Sequence, residues 1–179
     1  SWKQSNAVAV PTYGANYGAV EPCAVALPDG SLRVLIRTQL GQLWQTRAAN
    51  ASATQLRLAV AEPAPFVSSD SPSWIIPLRH PRWRGSAVIV FWCNAHTSRP
   101  GYYITGEHHA GAVYPPRPFL HAALSTDGGL SFSGHREVYR DPLMASQPPD
   151  GDYGAAYSAG VEQEDGSVVF VTGQGAGHL

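Results

Sequence analysis

The stretch Leu27-Pro28-Asp29-Gly30-Ser31-Leu32-Arg33-Val34 has a second copy far along the chain, Gln163-Glu164-Asp165-Gly166-Ser167-Val168-Val169-Phe170. Each copy reads as the end of a strand, an Asp-Gly turn and the start of the returning strand. Asp-Gly between apolar runs is a strong hairpin signal, because glycine takes the positive φ that tight turns require. A weaker third copy runs Ile75-Ile76-Pro77-Leu78, then a basic insertion, then Gly85-Ser86-Ala87-Val88-Ile89. The intervals Gly30 to Gly85 and Gly85 to Gly166 amount to one and roughly two units of ~40–50 residues, the size of a four-stranded propeller blade.

Around these turns the chain is a succession of short apolar runs. Cys23 to Leu27, Ser31 to Thr38, Ser86 to Cys93, Phe119 to Leu124, Glu137 to Arg140, Ala156 to Val161 and Ser167 to Thr172 all read as strands. No segment reads as a convincing helix, and Asn50-Ala51-Ser52-Ala53-Thr54 reads as loop. The expected fold is therefore all-β, a partial six-bladed β-propeller of about three blades of four-stranded antiparallel sheets. The blade units fall roughly at 1–65, 66–115 and 116–179, with no second domain. The stretch 97–118, rich in Gly, Pro, His and Tyr, reads as a long surface excursion.

Composition excludes several other classes. With 44% hydrophobic and 14% charged residues the chain is too apolar and too poor in charge to be disordered. Its 18 Gly and 15 Pro argue against a helical bundle. The 12 basic residues are matched by 13 acidic ones, so no nucleic-acid partner is implied. No apolar run is long enough to span a membrane as a helix, and Ser1-Trp2-Lys3-Gln4-Ser5 lacks the apolar stretch of a signal peptide. Cys23 and Cys93 sit in apolar runs and read as buried free thiols. Glu107-His108-His109 is the densest histidine cluster, but adjacent histidines on a Gly-rich loop lack zinc-site spacing, so no metal is expected. The Gly173-Gln174-Gly175-Ala176-Gly177 run lacks a following helix, so no nucleotide cofactor is expected either.

A further signature is Ser125-Thr126-Asp127-Gly128-Gly129-Leu130-Ser131-Phe132, of the form S-x-D-x-G-x-[ST]-[WF], the Asp-box pattern. Its chemistry is local. Ser125 and Asp127 can bond the turn backbone, Gly129 permits left-handed dihedrals, and Phe132 packs inward. Asp127 is accordingly read as structural rather than catalytic.

With these features the chain resembles the sialidase (neuraminidase) superfamily, six-bladed propellers with Asp-box (BNR) repeats, and it resembles the C-terminal half. The segment from Glu21 to Arg37, around Asp29-Gly30, is similar to the family stretch E-x-x-V-x-L-x-D-G-x-L-x-x-x-x-R, whose Glu and Arg are active-site residues. The segment Tyr157-Ser158-Ala159-Gly160-Val161, leading into Asp165-Gly166, resembles the stretch whose Tyr is the nucleophile. Ser71-Pro72-Ser73-Trp74-Ile75-Ile76 resembles the intervening blade. The resemblance implies a retaining exo-glycosidase that releases terminal sialic acid, or a related 2-keto acid sugar, from glycans. In it Tyr157 is the nucleophile, Glu21 its base and Arg37 a ligand of the substrate carboxylate. An Asp acid/base and two further Arg are also implied. Pro77 stands where the third Arg is expected, so Arg79 and Arg117 are the candidate substitutes. Asp70 is a candidate to line the funnel, with turn capping as its other reading.

The repeat alone pairs two of these residues. Glu21 lies nine positions before Gly30 and Tyr157 nine before Gly166. Equivalent positions of different blades face one axis, so both side chains are expected to point into a common funnel. A sialic acid carries a carboxylate on its reacting carbon, which repels an anionic nucleophile. A neutral phenol avoids this but, with a pKa near ~10, needs a base; a tyrosine nucleophile is a recognised exception among glycosidases. Six blades need ~270 residues, so the expected partners are the N-terminal blades or a second half-propeller chain, together with a sialylated or related glycan. The alternative function is a catalytically inactive propeller module that binds glycans or proteins.

Overall fold

A computed structural model describes residues 4–11, 18–68, 70–83, 85–95, 117–142 and 154–175. Among these residues there is no helix. Ten strands form three antiparallel sheets, none of them closed. The first sheet is β1 (Ala19–Ala26), β2 (Leu32–Thr38), β3 (Gln42–Ala48) and β4 (Glu62–Val67), in the order 1-2-3-4. The second is β5 (Trp74–Leu78), β6 (Ala87–Cys93), β7 (Phe119–Ser125) and β8 (Ser133–Arg140), in the order 5-6-7-8. The third is the hairpin β9 (Gly154–Glu162) and β10 (Val168–Gly175).

The three repeat copies each open a sheet, at the turns β1–β2, β5–β6 and β9–β10. The first and last are alike atom by atom. Leu27 N–H donates to Ser31 O at 2.8 Å and Gly30 N–H to Leu27 O at 2.9 Å. Gln163 N–H donates to Ser167 O at 2.8 Å and Gly166 N–H to Gln163 O at 2.9 Å. Asp29 and Asp165 accept the Ser31 and Ser167 N–H groups at 2.9 and 2.8 Å. Gly30 and Gly166 take φ of 81° and 76°, where a Cβ would be strained.

Sheets one and two meet through their apolar faces. Val25, Leu35, Leu43 and Phe66 pack on Ile75, Val88, Val90 and Trp92. Phe66, 1% exposed, meets Trp92 in a tilted and Phe132 in an edge-to-face contact, both at 4.7 Å between ring centroids. The opposite face of sheet two packs Ile76, Phe91, Leu120 and Ala122 on Ala155, Val168 and Phe170 of the hairpin. Strands buried on both faces read as continuous apolar runs, which is why Ala87–Cys93 (AVIVFWC) shows no alternation. The opening strands lie side by side, β1 beside β5 and β5 beside β9.

The expected unit boundary between residues 115 and 116 falls between β6 and β7, which pair along Val88–Cys93 and Leu120–Ser125. Of the expected 97–118 excursion only Arg117 and Pro118 are described, and both are buried; residues 97–116 lie outside the described residues. The third expected unit, 116–179, holds four strands, but they are divided between the second sheet (β7, β8) and the third (β9, β10). Strands β3 and β4 escaped the sequence reading; β4 carries Pro63 and Pro65, which a sheet tolerates only on an edge, and β4 is an edge.

Candidate active site

At the Glu21 end of β1 and the Tyr157 end of β9, five of the expected residues come together. The Tyr157 hydroxyl donates to Glu21 Oε1 at 3.4 Å. Arg37 Nη1 donates to Glu21 Oε2 at 2.7 Å, and Arg37 Nε to Asp70 Oδ1 at 2.8 Å. Arg117 Nη2 donates to the Asp70 carbonyl at 3.0 Å. Arg37, Asp70 and Arg117 are buried, at 6%, 1% and 3% exposure, whereas Tyr157 is 59% exposed. The result is a buried group of Arg37, Asp70 and Arg117 beneath an exposed carboxylate, Glu21, and a solvent-facing phenol.

The backbone explains how Glu21 and Tyr157 reach this place. In the β1–β2 ladder Val20 faces Arg37 and Cys23 faces Leu35, so Glu21 and Pro22 together oppose Ile36. In the β9–β10 ladder Ala156 faces Gly173 and Ala159 faces Val171, so Tyr157 and Ser158 together oppose Thr172. Both residues are therefore the first of a β-bulge at the same repeat position, and bulges re-aim side chains. Both take positive φ, 46° for Glu21 and 55° for Tyr157. The remaining non-glycine residue with positive φ among the described residues is Asp70, at 52°. Each such conformation costs of order 1–3 kcal/mol, and all three converge on one spot.

The other candidates separate. Arg79 does not join the site: it is exposed at the far end of β5, where its backbone N–H and that of His80 donate to the Glu162 carboxylate. Desolvation would raise the Glu162 carboxyl, but those two N–H groups hold it below the usual range. Five residues of strand separate Glu162 from Tyr157, about 16 Å. Arg117 takes up the position near Asp70 instead. Asp70 lies behind Arg37 rather than lining open space, since it is buried against that guanidinium.

Ser125, Asp127, Gly129 and Phe132 form the β7–β8 turn, distant from Tyr157. Asp127 accepts from Ser125 Oγ at 2.7 Å, Leu130 N–H at 3.0 Å and Ser131 N–H at 2.9 Å, and also from the Ser131 hydroxyl. Gly129 N–H donates to Ser125 Oγ at 2.8 Å. The bonds from Ser131 hold the Asp127 carboxyl well below the usual range.

Gly154 was not anticipated. At φ 96° it forms a bridge with Arg117, and a Cβ there would stand 2.0 Å from the Arg117 carbonyl oxygen. This close backbone approach ties β9 to the segment bearing Arg117. Among the described residues no group of three or more His, Cys, Asp or Glu is placed to hold a metal ion, and no helix is long and apolar enough to cross a membrane. Glu107-His108-His109 lies outside the described residues. Cys23 and Cys93 are free thiols; burial raises the Cys23 thiol, which lies 3.4 Å from Ser73 Oγ. The sequence matches no protein-family model and no curated protein.

Proposed function

We propose that the protein is a sialidase-like exo-glycosidase that releases terminal sialic acid, or a related 2-keto acid sugar, with retention. The observation that carries this is the Tyr157–Glu21 hydrogen bond between two bulged, positive-φ residues of separate sheets. An exposed phenol held against a carboxylate fits a nucleophile with its base. In the proposed step the Tyr157 oxygen attacks the anomeric carbon while Glu21 takes the phenolic proton. The glycosidic oxygen leaves with a proton from an acid outside the described residues, and water then cleaves the tyrosyl intermediate. Arg37 fixes Glu21 through one guanidinium nitrogen, and in this reading it and Arg117 are the candidate ligands of the substrate carboxylate.

The finer reading of the fold, a partial six-bladed propeller, is part of the proposal. It is supported by opening strands that neighbour one another in successive sheets and by the identical first turns. The β10 edge is unpaired among the described residues and exposes Val169 and Val171, which suits a sheet that continues through further strands. The remaining blades would come from the same chain or from a second half-propeller.

One observation favours the alternative, a silent module that binds glycans or proteins. Asp70, the candidate Asp nearest the pair, is buried on Arg37 rather than facing the phenol. The test is release of a fluorophore from a fluorogenic sialoside by the full protein. The glycosidase reading expects release, and at least about a hundredfold loss in Tyr157→Phe. A folded full protein inert on sialosides and on related 2-keto acid glycosides leaves the binding module.

A further inference from the structure

At the opposite end of the first sheet from Tyr157, the β1–β2 turn, the β3–β4 connection and the Asp127 turn enclose a cleft of about 600 Å³. Arg33, Arg47 and Arg57 line it together with Asp29 and Asp127 and with the apolar side chains of Leu27, Leu58 and the exposed Leu130. Arg33 and Arg47 are direct cross-strand partners, and like charges placed so are ordinarily destabilising. Arg33 is 6% exposed and donates through Nε and Nη2 to the Gly128 carbonyl at 3.1 and 2.8 Å. Burial, and then the charge of Arg47, pull its guanidinium below the ordinary arginine range, while Glu62, Asp127 and Asp29 oppose this.

Two of these carboxylates, Asp29 and Asp127, line the cleft too, and all three take their hydrogen bonds from neutral groups. Asp29 is bonded by the Ser31 N–H and hydroxyl, Asp127 by its own turn, and Glu62 by Gln45 at 3.3 Å. None forms an ion pair with the three arginines among the described residues. The wall is also fixed in place. Ala59 N–H donates to Arg47 O at 2.8 Å, Thr46 Oγ1 to Ala59 O at 2.7 Å, and Asn6 brackets Leu58 through both its N–H and its C=O. A fixed cleft thus gathers three guanidinium groups and two carboxylates, Asp29 and Asp127, that make no ion pair with them, an excess of one positive charge in its lining.

We propose that this cleft binds a small ligand bearing a phosphate or sulfate group, gripped by Arg47 and Arg57 with Arg33 beneath and its organic body against the leucine side chains. The forked guanidinium matches such oxyanions, and the apolar side chains distinguish a substituted oxyanion from the bare ion. The site is separate from the proposed glycosidase centre and does not depend on it. The test is calorimetric titration of the full protein with phenyl phosphate, phenyl sulfate and inorganic phosphate at constant ionic strength. The expected result is saturable 1:1 binding of at least one aryl ester, tighter than inorganic phosphate. The Arg47→Ala/Arg57→Ala variant, whose changes are at exposed positions, weakens it tenfold or more; Arg79→Ala leaves it unchanged. Which ester binds more tightly separates a phosphate-bearing ligand from a sulfate-bearing one. Absence of saturable binding by either ester, or equal weakening by Arg79→Ala, overturns the proposal.

Discussion

Glu21 and Tyr157, 136 residues apart, occupy the same place in two copies of one hairpin and meet at 3.4 Å. Each is the first residue of a bulge and each has positive φ. The conformation has a measurable consequence separate from any activity. At a left-handed position Ala carries a Cβ penalty of about 1 kcal/mol that Gly lacks. Glu21→Gly is therefore expected to be more stable than Glu21→Ala by about that amount in urea unfolding, and Tyr157→Gly than Tyr157→Ala likewise. At an ordinary strand position the order reverses, which would contradict the bulge geometry.

Arg37 and Asp70 form a buried pair. Removing one partner of such a pair leaves the other charged and desolvated, at a cost of about 3–5 kcal/mol. Arg37→Met should fall in that range. Adding Asp70→Asn should recover part of the loss, so that the double variant is more stable than the summed single effects by ~1 kcal/mol or more. Strict additivity in the double-mutant cycle would show that the pair is not coupled.

The Asp127 turn sets a pH dependence. Its carboxyl is lowered by bonds from Ser131, Ser125 and Leu130. A group lowered on folding contributes stability that is complete above its unfolded value, ~3.9, and is lost as pH falls toward the folded one. Asp127→Asn should thus flatten the acid limb of the stability curve below about pH 4. An unchanged acid limb would mean that the turn bonds do not favour the charged form.

Gly154 predicts a packing failure. Gly154→Ala forces a Cβ onto the Arg117 carbonyl and should destabilise by at least about 2 kcal/mol. Gly134→Ala is the comparison: it also has positive φ, but its Cβ would meet nothing, so it should cost only about 1 kcal/mol. Equal thermal shifts for the two variants would refute the close approach at Arg117.

Much of this was legible in residue order. Asp-Gly turns between apolar runs fix hairpins locally, because glycine at positive φ and an Asp side chain on the N–H two residues on need no distant partner. The Ser125–Phe132 turn is local for the same reason. Counting back from Gly30 and Gly166 also singles out Glu21 and Tyr157, since a repeated hairpin repeats its bulge. Edge strand β4, with its prolines, was not legible, because its pairing depends on which side of the sheet is left open.

The tertiary structure alone decided which arginine joins the cluster. Arg79 is nearer in sequence to the expected position, yet strand β5 carries it to the far end, while the bridge at Gly154 brings Arg117 to Asp70. It also decided that Asp70 is buried behind Arg37 and that Arg33, Arg47 and Arg57 share a cleft. Such groupings arise from strand register and from the packing of one sheet on the next, interactions between residues far apart in the chain. The chain order fixes the turns; the register and the stacking of sheets fix which charges meet.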